Sequence, residues 1–598
     1  MKRTKTLLLL FAALPLTLLA QQGVTQCGTP TLQPPFPIGS YNELPNPQQP
    51  DPARWAKVKE TQAAWGTTNR RYSQTAVPEG NTNTSKLTAW RGEKVQAQAV
   101  VYTPRGVDRL TYTLSEFTNS AGETLPATAF EAGFVRYVMT DELNKDGKGG
   151  CGYRPDHSIY DSTLVADPID HTTLELAVKP MNTQAIWVSC TVPQSTVKGK
   201  YKGQLLVKAD GKTLRTLPLE IEVLNRVLPA PAEWSYHLDL WQNPFAVARY
   251  YQVPLWSEAH FNAMRPTMKR LADAGQKIIT ASIMHKPWGG QTHDYFETMV
   301  TWMKKSDGTW AFDYTIFDQW VTFMMGVGID QQINCYSMIP WKLSFKYFDQ
   351  ATNSMKTIDT APGKPEYNEM WRAMLASFST HLRQKGWFDK TVIAMDERPM
   401  KAMQEVIALI REVDPEYKVA LAGNYHAEIE KELYDYSIAW GQTYPEEVLK
   451  RRQAAGQRST YYTCCTEVWP NMFTFSQPAE STYISLFIAK DKVDGYLRWA
   501  FNSWPLEPLL DSRFSAWAGG DTYIVYPGNR TSIRFEKLIE GIQAYEKVRL
   551  LQAEFEAKGD TRAAKKLQEV LAPFKGPFAP VNVTTERVER ALKQLNAW

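Results

Sequence analysis

Between residues 86 and 228 the apolar side chains come in short runs or alternate with polar ones, interrupted by Gly, Pro and Asn. The segments 94–102, 183–188 and 204–208 show this best, and the pattern predicts strands half-buried in a β-sandwich. The last of them, 217–223, gives way to Leu228-Pro229-Ala230-Pro231, a stiff linker. Beyond it the period changes. Eight apolar runs, at 236–241, 277–283, 332–338, 391–395, 419–424, 437–442, 459–465 and 495–502, alternate with stretches whose apolar residues recur three and four apart. Stripes such as Phe261-Met264-Met268-Leu271 and Met403-Val406-Ile407-Ile410 give each helix one buried face. Eight such units predict a (β/α)8 TIM-type barrel over residues 232–530, with the Met and aromatic residues packing helix against strand. From 531 to 598, Phe535-Leu538-Ile542-Tyr545 and Ala563-Leu567-Val570-Leu571 predict a C-terminal helical extension.

The N-terminus changes the picture of where the protein works. Lys2, Arg3 and Lys5 lead into an apolar stretch from Leu7 to Leu14, and Ala20-Gln21 offers a cleavage point, so residues 1–20 are expected to be a signal peptide. The stretch is too short for a membrane span, and a periplasmic or secreted protein is expected. Residues 21–85, rich in Pro, Gln, Asn and Thr, read as a lead-in with a short helix in the region 55–65. With 67 basic and 63 acidic residues and no basic block, nucleic acid is excluded as a partner. Six Cys make no disulfide scaffold in 598 residues, and adjacent Cys464 and Cys465 are poorly placed to bond each other. No spacing suggests a metal site, and no cofactor is expected.

Candidate chemistry gathers at the ends of the barrel strands. Asp396-Glu397 follows the apolar run of the fourth strand, so its charges project beyond the sheet at the rim where such barrels keep their active sites. Other strands deliver Asp239 and Trp241 (first), Asn424 and Tyr425 (fifth), Trp440 and Tyr444 (sixth), Trp469 and Asn471 (seventh), and Trp499, Asn502 and Trp504 (eighth). Indoles and phenols interleaved with amides and carboxylates suit a sugar, whose C–H faces stack on rings while its hydroxyls need directional partners. The 20 Trp and 28 Tyr fit that reading, and a glycan is the expected partner. Neighbouring carboxylates are poorly suited to flank a sugar ring, which two-carboxylate mechanisms require. A substrate acetamide acting as internal nucleophile needs only one acid and one supporting carboxylate.

The run Leu497-Arg498-Trp499-Ala500-Phe501-Asn502-Ser503-Trp504, the later Gly520-Asp521-Thr522-Tyr523-Ile524-Val525-Tyr526-Pro527-Gly528, and Asp396-Glu397 together resemble glycoside hydrolase family 123. The resemblance implies a retaining β-N-acetylgalactosaminidase in which Asp396 orients the 2-acetamido group and Glu397 is acid/base. A Tyr helping to position the acetamide would be Tyr425 or Tyr444. The same fold acting on another sugar, or a barrel that binds carbohydrate without catalysis, are the competing expectations.

Overall fold

A computed structural model describes residues 43–140, 162–515, 517–576 and 583–598. The expected signal peptide and most of the Pro-rich lead-in lie outside the described residues.

Two antiparallel-rich sheets form the N-terminal sandwich. One runs in the order Gln62–Trp65, Lys94–Thr103, Asn182–Thr191, Phe130–Thr140, Thr163–Asp170 and Thr531–Ser532. The other is built on the long pair Gly199–Ala209 and Lys212–Val227. Leu219, Ile221 and Val223 point inward while Glu220 and Glu222 alternate outward, and they meet Ala99, Val101, Ile186 and Val188 of the facing sheet. The sandwich starts earlier than 86, because Gln62–Trp65 pairs with Lys94–Thr103. The short helix is confined to Pro52–Trp55, where Asp51 caps it and Pro52 fills the first turn.

Eight parallel strands make the barrel: β1 His237–Leu240, β2 Ile278–Ser282, β3 Gln332–Tyr336, β4 Thr391–Asp396, β5 Lys418–Gly423, β6 Asp435–Ala439, β7 Arg458–Tyr462 and β8 Gly495–Arg498. All eight lie where the apolar runs predict them. Between β1 and β2 the ladder is reduced to one bridge, Leu238 to Gln276, and side-chain amides take its place. Gln276 accepts from the Leu240 N–H at 3.0 Å and donates to the Ile278 carbonyl at 2.7 Å, while Gln242 accepts from the Thr280 N–H at 2.9 Å.

Two features depart from eight regular units. The β5–β6 connection has only a 3-10 turn, Glu430–Glu432, in place of a helix. The loops after β2 and β3 contribute a four-stranded sheet, Trp310–Asp313, Thr301–Lys304, Ser344–Asp349 and Ser354–Asp359. The first helix of the expected C-terminal helical segment closes the barrel, and the later two form its tail. Ile533–Lys558 follows β8 and crosses helix Pro478–Asp491 at Gly541, where a Cβ would lie 2.9 Å from Ser485 Oγ. Helices Thr561–Leu571 and Thr584–Leu595 then pack behind that pair.

The sandwich and barrel are joined by buried ion pairs. Asp167, on the sandwich strand Thr163–Asp170, receives Arg534 at 2.9 Å and Arg71 at 2.8 Å. Asp170 receives Arg530 at 2.9 Å and Arg136 at 3.1 Å. The sandwich also braces the β8 loop, since Met139 exchanges backbone hydrogen bonds with Leu510 and Ser512 at 2.9 Å each.

Candidate active site

β4 is apolar and buried until its last residue, so its two carboxylates emerge at the C-terminal rim. They then part. Asp396 turns to the loop after β3, where its Oδ2 accepts from Trp341 Nε1 and Arg398 Nη2, both at 2.6 Å. Glu397 crosses to the other side of β4. Its Oε1 accepts from Asn424 Nδ2 at 2.9 Å and lies 3.3 Å from His426 Nε2, and its Oε2 accepts from the Asn424 backbone N–H. Gly423 makes this crossing possible, because a Cβ there would stand 2.7 Å from Glu397 Cβ.

Asp396 Oδ1 is buried and has no hydrogen-bond partner. Burial pushes the carboxyl above the ordinary aspartate range, while Arg398 and Trp341 pull it back. Arg398 also donates to the carbonyls of Glu397 at 2.8 Å and Ile339 at 3.2 Å, so one guanidinium fixes the turn as well as the charge.

Both carboxylates open into a cavity of about 230 Å³ walled by Trp241, Trp288, Trp341, Trp499, Trp517 and Tyr462. Trp241 and Trp288 stack at 4.6 Å, and Tyr336 lies within 4.9 Å of both rings. Trp241 Nε1 donates to Asp239 Oδ2 at 3.3 Å, and Asn334 donates to the same oxygen at 3.4 Å. Deeper in the barrel, Gln332 bridges Asn334 at 2.8 Å and Asp435 at 2.6 Å, and Asp435 meets His237 at 2.9 Å. Burial, with Asp435 nearby, holds Asp239 well above the usual carboxylate range. Asp239 thus steadies an indole of the cavity from inside the barrel.

Of the other strand-end residues, three come to the carboxylates or their cavity and the rest lie elsewhere. Trp241 and Trp499 line the cavity, and Asn424 touches Glu397. Tyr425 is half-buried and stacks on Tyr436 at 6.2 Å. Trp440 packs on Phe487 at 4.5 Å and Trp469 on Tyr483 at 4.8 Å, both against helix Pro478–Asp491. Tyr444 donates its hydroxyl to the Tyr436 carbonyl, so it is committed to the core. Asn471 accepts from Arg498 at 2.8 Å and holds the carbonyls of Cys464 and Glu467 at 2.7 Å. Asn502 clasps the Asn243 backbone through both ends of its amide, and Trp504 donates to Val525 O at 2.8 Å. These residues shape the loops around the cavity without reaching it.

Trp288, Gln291, Trp341 and Trp517 line the cavity from loops well beyond the strand ends. Trp517 Nε1 donates to Gln291 O at 2.9 Å, joining the β2 and β8 loops. Cys464 is free whereas Cys465 is disulfide-bonded, so the adjacent pair is not joined to itself. Among the described residues no group of three or more His, Cys, Asp or Glu is arranged to hold a metal, and no helix is long and apolar enough to cross a membrane.

Comparison with known proteins agrees with this architecture. The family model for the glycoside hydrolase 123 catalytic domain matches residues 241–551, and that for the family's N-terminal domain matches 65–209. A solved family 123 glycoside hydrolase from Clostridium perfringens, described for glycolipid glycan hydrolysis, is 26% identical over 90% of this chain and 98% of its own, with a TM-score of 0.81. A Bacteroides ovatus xyloglucanase overlaps 77% of this chain and 98% of its own at 10% identity, with a TM-score of only 0.29. No curated protein matches the sequence.

Proposed function

Because the chain belongs to glycoside hydrolase family 123, we propose that it is a retaining exo-glycosidase that releases terminal β-linked N-acetylgalactosamine by substrate-assisted catalysis. The observation that carries this reading is Asp396. Its Oδ2 is saturated by Trp341 and Arg398, while its buried Oδ1 has no partner. A buried acceptor left unpaired costs about 1–3 kcal/mol, and an acetamide N–H from a bound sugar would satisfy it.

In the proposed reaction, Asp396 Oδ1 accepts the acetamide N–H and turns the acetamide oxygen onto the anomeric carbon. That oxygen forms the new C–O bond as the glycosidic bond breaks, and Glu397 gives its proton to the leaving oxygen. Asp396 supports the positive oxazolinium so formed. Glu397, now a carboxylate, takes a proton from water as the water oxygen attacks the anomeric carbon, reopening the ring with the β configuration retained. The indoles around the cavity offer faces to the sugar's C–H surface.

Glycolipid glycans, on which the Clostridium perfringens relative acts, are the first natural substrates to try. The proposed export rests on the basic-then-apolar start and Ala20-Gln21. N-terminal sequencing of the native protein tests it, and retention of Met1 rules it out.

The decisive experiment compares 2-acetamido with 2-hydroxy chromogenic galactosides and follows the first product by proton NMR. Turnover confined to the acetamido substrate, β product first and strong inhibition by a thiazoline mimic are expected. Initial α product, or equal turnover of the 2-hydroxy sugar, excludes the mechanism. Hydrolysis of N-acetylglucosaminides alone would reassign the sugar.

A further inference from the structure

A second cavity, of about 390 Å³, lies against the same two loops that wall the first. Trp288 and Trp341 line the candidate active site, and their chain neighbours Gly289 and Lys342 line this groove. The loops are held together there. The Trp341 N–H donates to Pro287 O at 2.9 Å, and a Cβ on Gly289 would lie 3.9 Å from the Trp341 ring. The wall between the two cavities is therefore only a residue or so thick, and Trp341, 48% exposed, stands on it.

The groove is basic. Lys286, Lys342 and Lys346 line it together with His285, and the side chains of Ser344 and Thr357 add hydroxyls. Two of the acids nearby are already matched, and a third, Asp359, stands opposite Ser344 in the hairpin. Glu297 bonds His285 Nδ1 at 2.6 Å, and Asp349 of the hairpin pairs with Lys356 at 2.8 Å. Lys286 lies 3.7 Å over the Tyr295 ring, which fixes its position. Lys342 is exposed and Lys346 half-buried, and among the described residues no carboxylate pairs with either ammonium. A concave surface where the lysines outnumber the carboxylates favours an anion, and a space of this size suits a small polar ligand.

We propose that this groove is a subsite for an anionic sugar of the same glycan, taking a uronate carboxylate or a sulfate ester on a ring near the N-acetylhexosamine that occupies the first cavity. The inference rests on the glycosidase reading of that cavity, and it narrows the substrate class to acidic glycans.

The test measures binding to the full chain carrying Glu397→Gln, so that ligands are not consumed. The probes are a disaccharide of N-acetylgalactosamine on glucuronate and its neutral counterpart on galactose, titrated calorimetrically at low and high salt. At low salt the acidic disaccharide should bind about tenfold more tightly, as two or three solvent-open ion pairs each add a few-fold. High salt should erase the difference. Adding Lys342→Gln and Lys346→Gln should erase it too, and Lys342→Gln alone, at an exposed position, should reduce it if the double variant is poorly folded. Equal affinity for the two disaccharides in the parent, or a preference that survives the lysine changes, overturns the proposal. Inorganic sulfate competing as well as the acidic disaccharide would show a general anion site and overturns the sugar assignment. A wild-type enzyme that cleaves no N-acetylhexosaminide while the preference persists would sink the reaction, not the groove.

Discussion

Trp341 and Asp396 meet through one short hydrogen bond, indole Nε1 to carboxylate Oδ2 at 2.6 Å, made between the loop after β3 and the tip of β4. The bond occupies Oδ2 and leaves Oδ1 without a hydrogen-bond partner, which the proposed reaction gives to the acetamide N–H. Asp396→Asn should lower kcat on 2-acetamido substrates by about 10²–10³, the usual loss when one preorganised charge partner is removed. Trp341→Phe keeps the ring but loses the donor. It should cost roughly tenfold, since Arg398 still holds Oδ2 and one charge-assisted bond is lost. If Trp341→Phe matched wild type in kcat/KM, the orienting role would be wrong.

In the proposed reaction Glu397 is the proton donor; Glu397→Gln removes it and keeps only one of the two bonds from Asn424, because an amide has a single acceptor oxygen. Hydrolysis of natural glycans should fall about 10²–10⁴-fold, while activated aryl glycosides, which need little protonation, should fall less. A uniform loss across leaving groups of different acidity would contradict the assignment, and a Brønsted plot of kcat/KM gives the answer directly.

Gly423 offers a test that touches neither carboxylate. In Gly423→Ala the new Cβ would stand 2.7 Å from Glu397 Cβ, so the acid has to move while β5 remains paired on both sides. A displacement near 1 Å can cost about 10²-fold in rate. We expect a folded protein with activity reduced to that extent, checked by thermal unfolding beside kinetics. Wild-type turnover would show that the position of Glu397 is not critical.

Stability should depend on pH through Glu480. Its carboxyl caps helix Pro478–Asp491 by accepting from the Asn471 and Gln477 N–H groups, and burial pushes it from 4.5 up to about 7. Between those values the folded chain keeps a proton that the unfolded chain has released. This contribution is therefore complete below pH ~4.5 and declines as pH rises through ~7, by something on the order of 3 kcal/mol. Glu480→Gln should flatten that slope, so its Tm relative to wild type should rise between pH 4.5 and 8. A constant difference across this range would refute the assignment.

The barrel strands were legible because parallel strands are buried on both faces and read as unbroken apolar runs; Val392, Ile393 and Ala394 are fully buried. The rim sheet was not, because Ser354–Asp359 is almost wholly exposed and carries no apolar period. Asp396 and Glu397 stood out by ending a strand, but their separation depends on Asn424, Trp341 and Gly423, which come from three other positions in the chain. Position after a strand also misplaced indoles. Trp440 and Trp469 turn back onto a helix, whereas Trp288 and Trp517 arrive from loops whose paths no local pattern records.

The ion pairs between sandwich and barrel also set a timetable for synthesis. Asp167 waits for Arg534, 367 residues further along, and the edge strand Thr531–Ser532 that completes the sheet arrives with it. Until then the ribosome has released a sandwich lacking its last strand, with Asp167 and Asp170 each short of one arginine. A nascent chain stalled before residue 530 would thus expose an open sheet edge to whatever strand or chaperone is at hand, and the N-terminal unit reaches its final form only after residue 534 has been made.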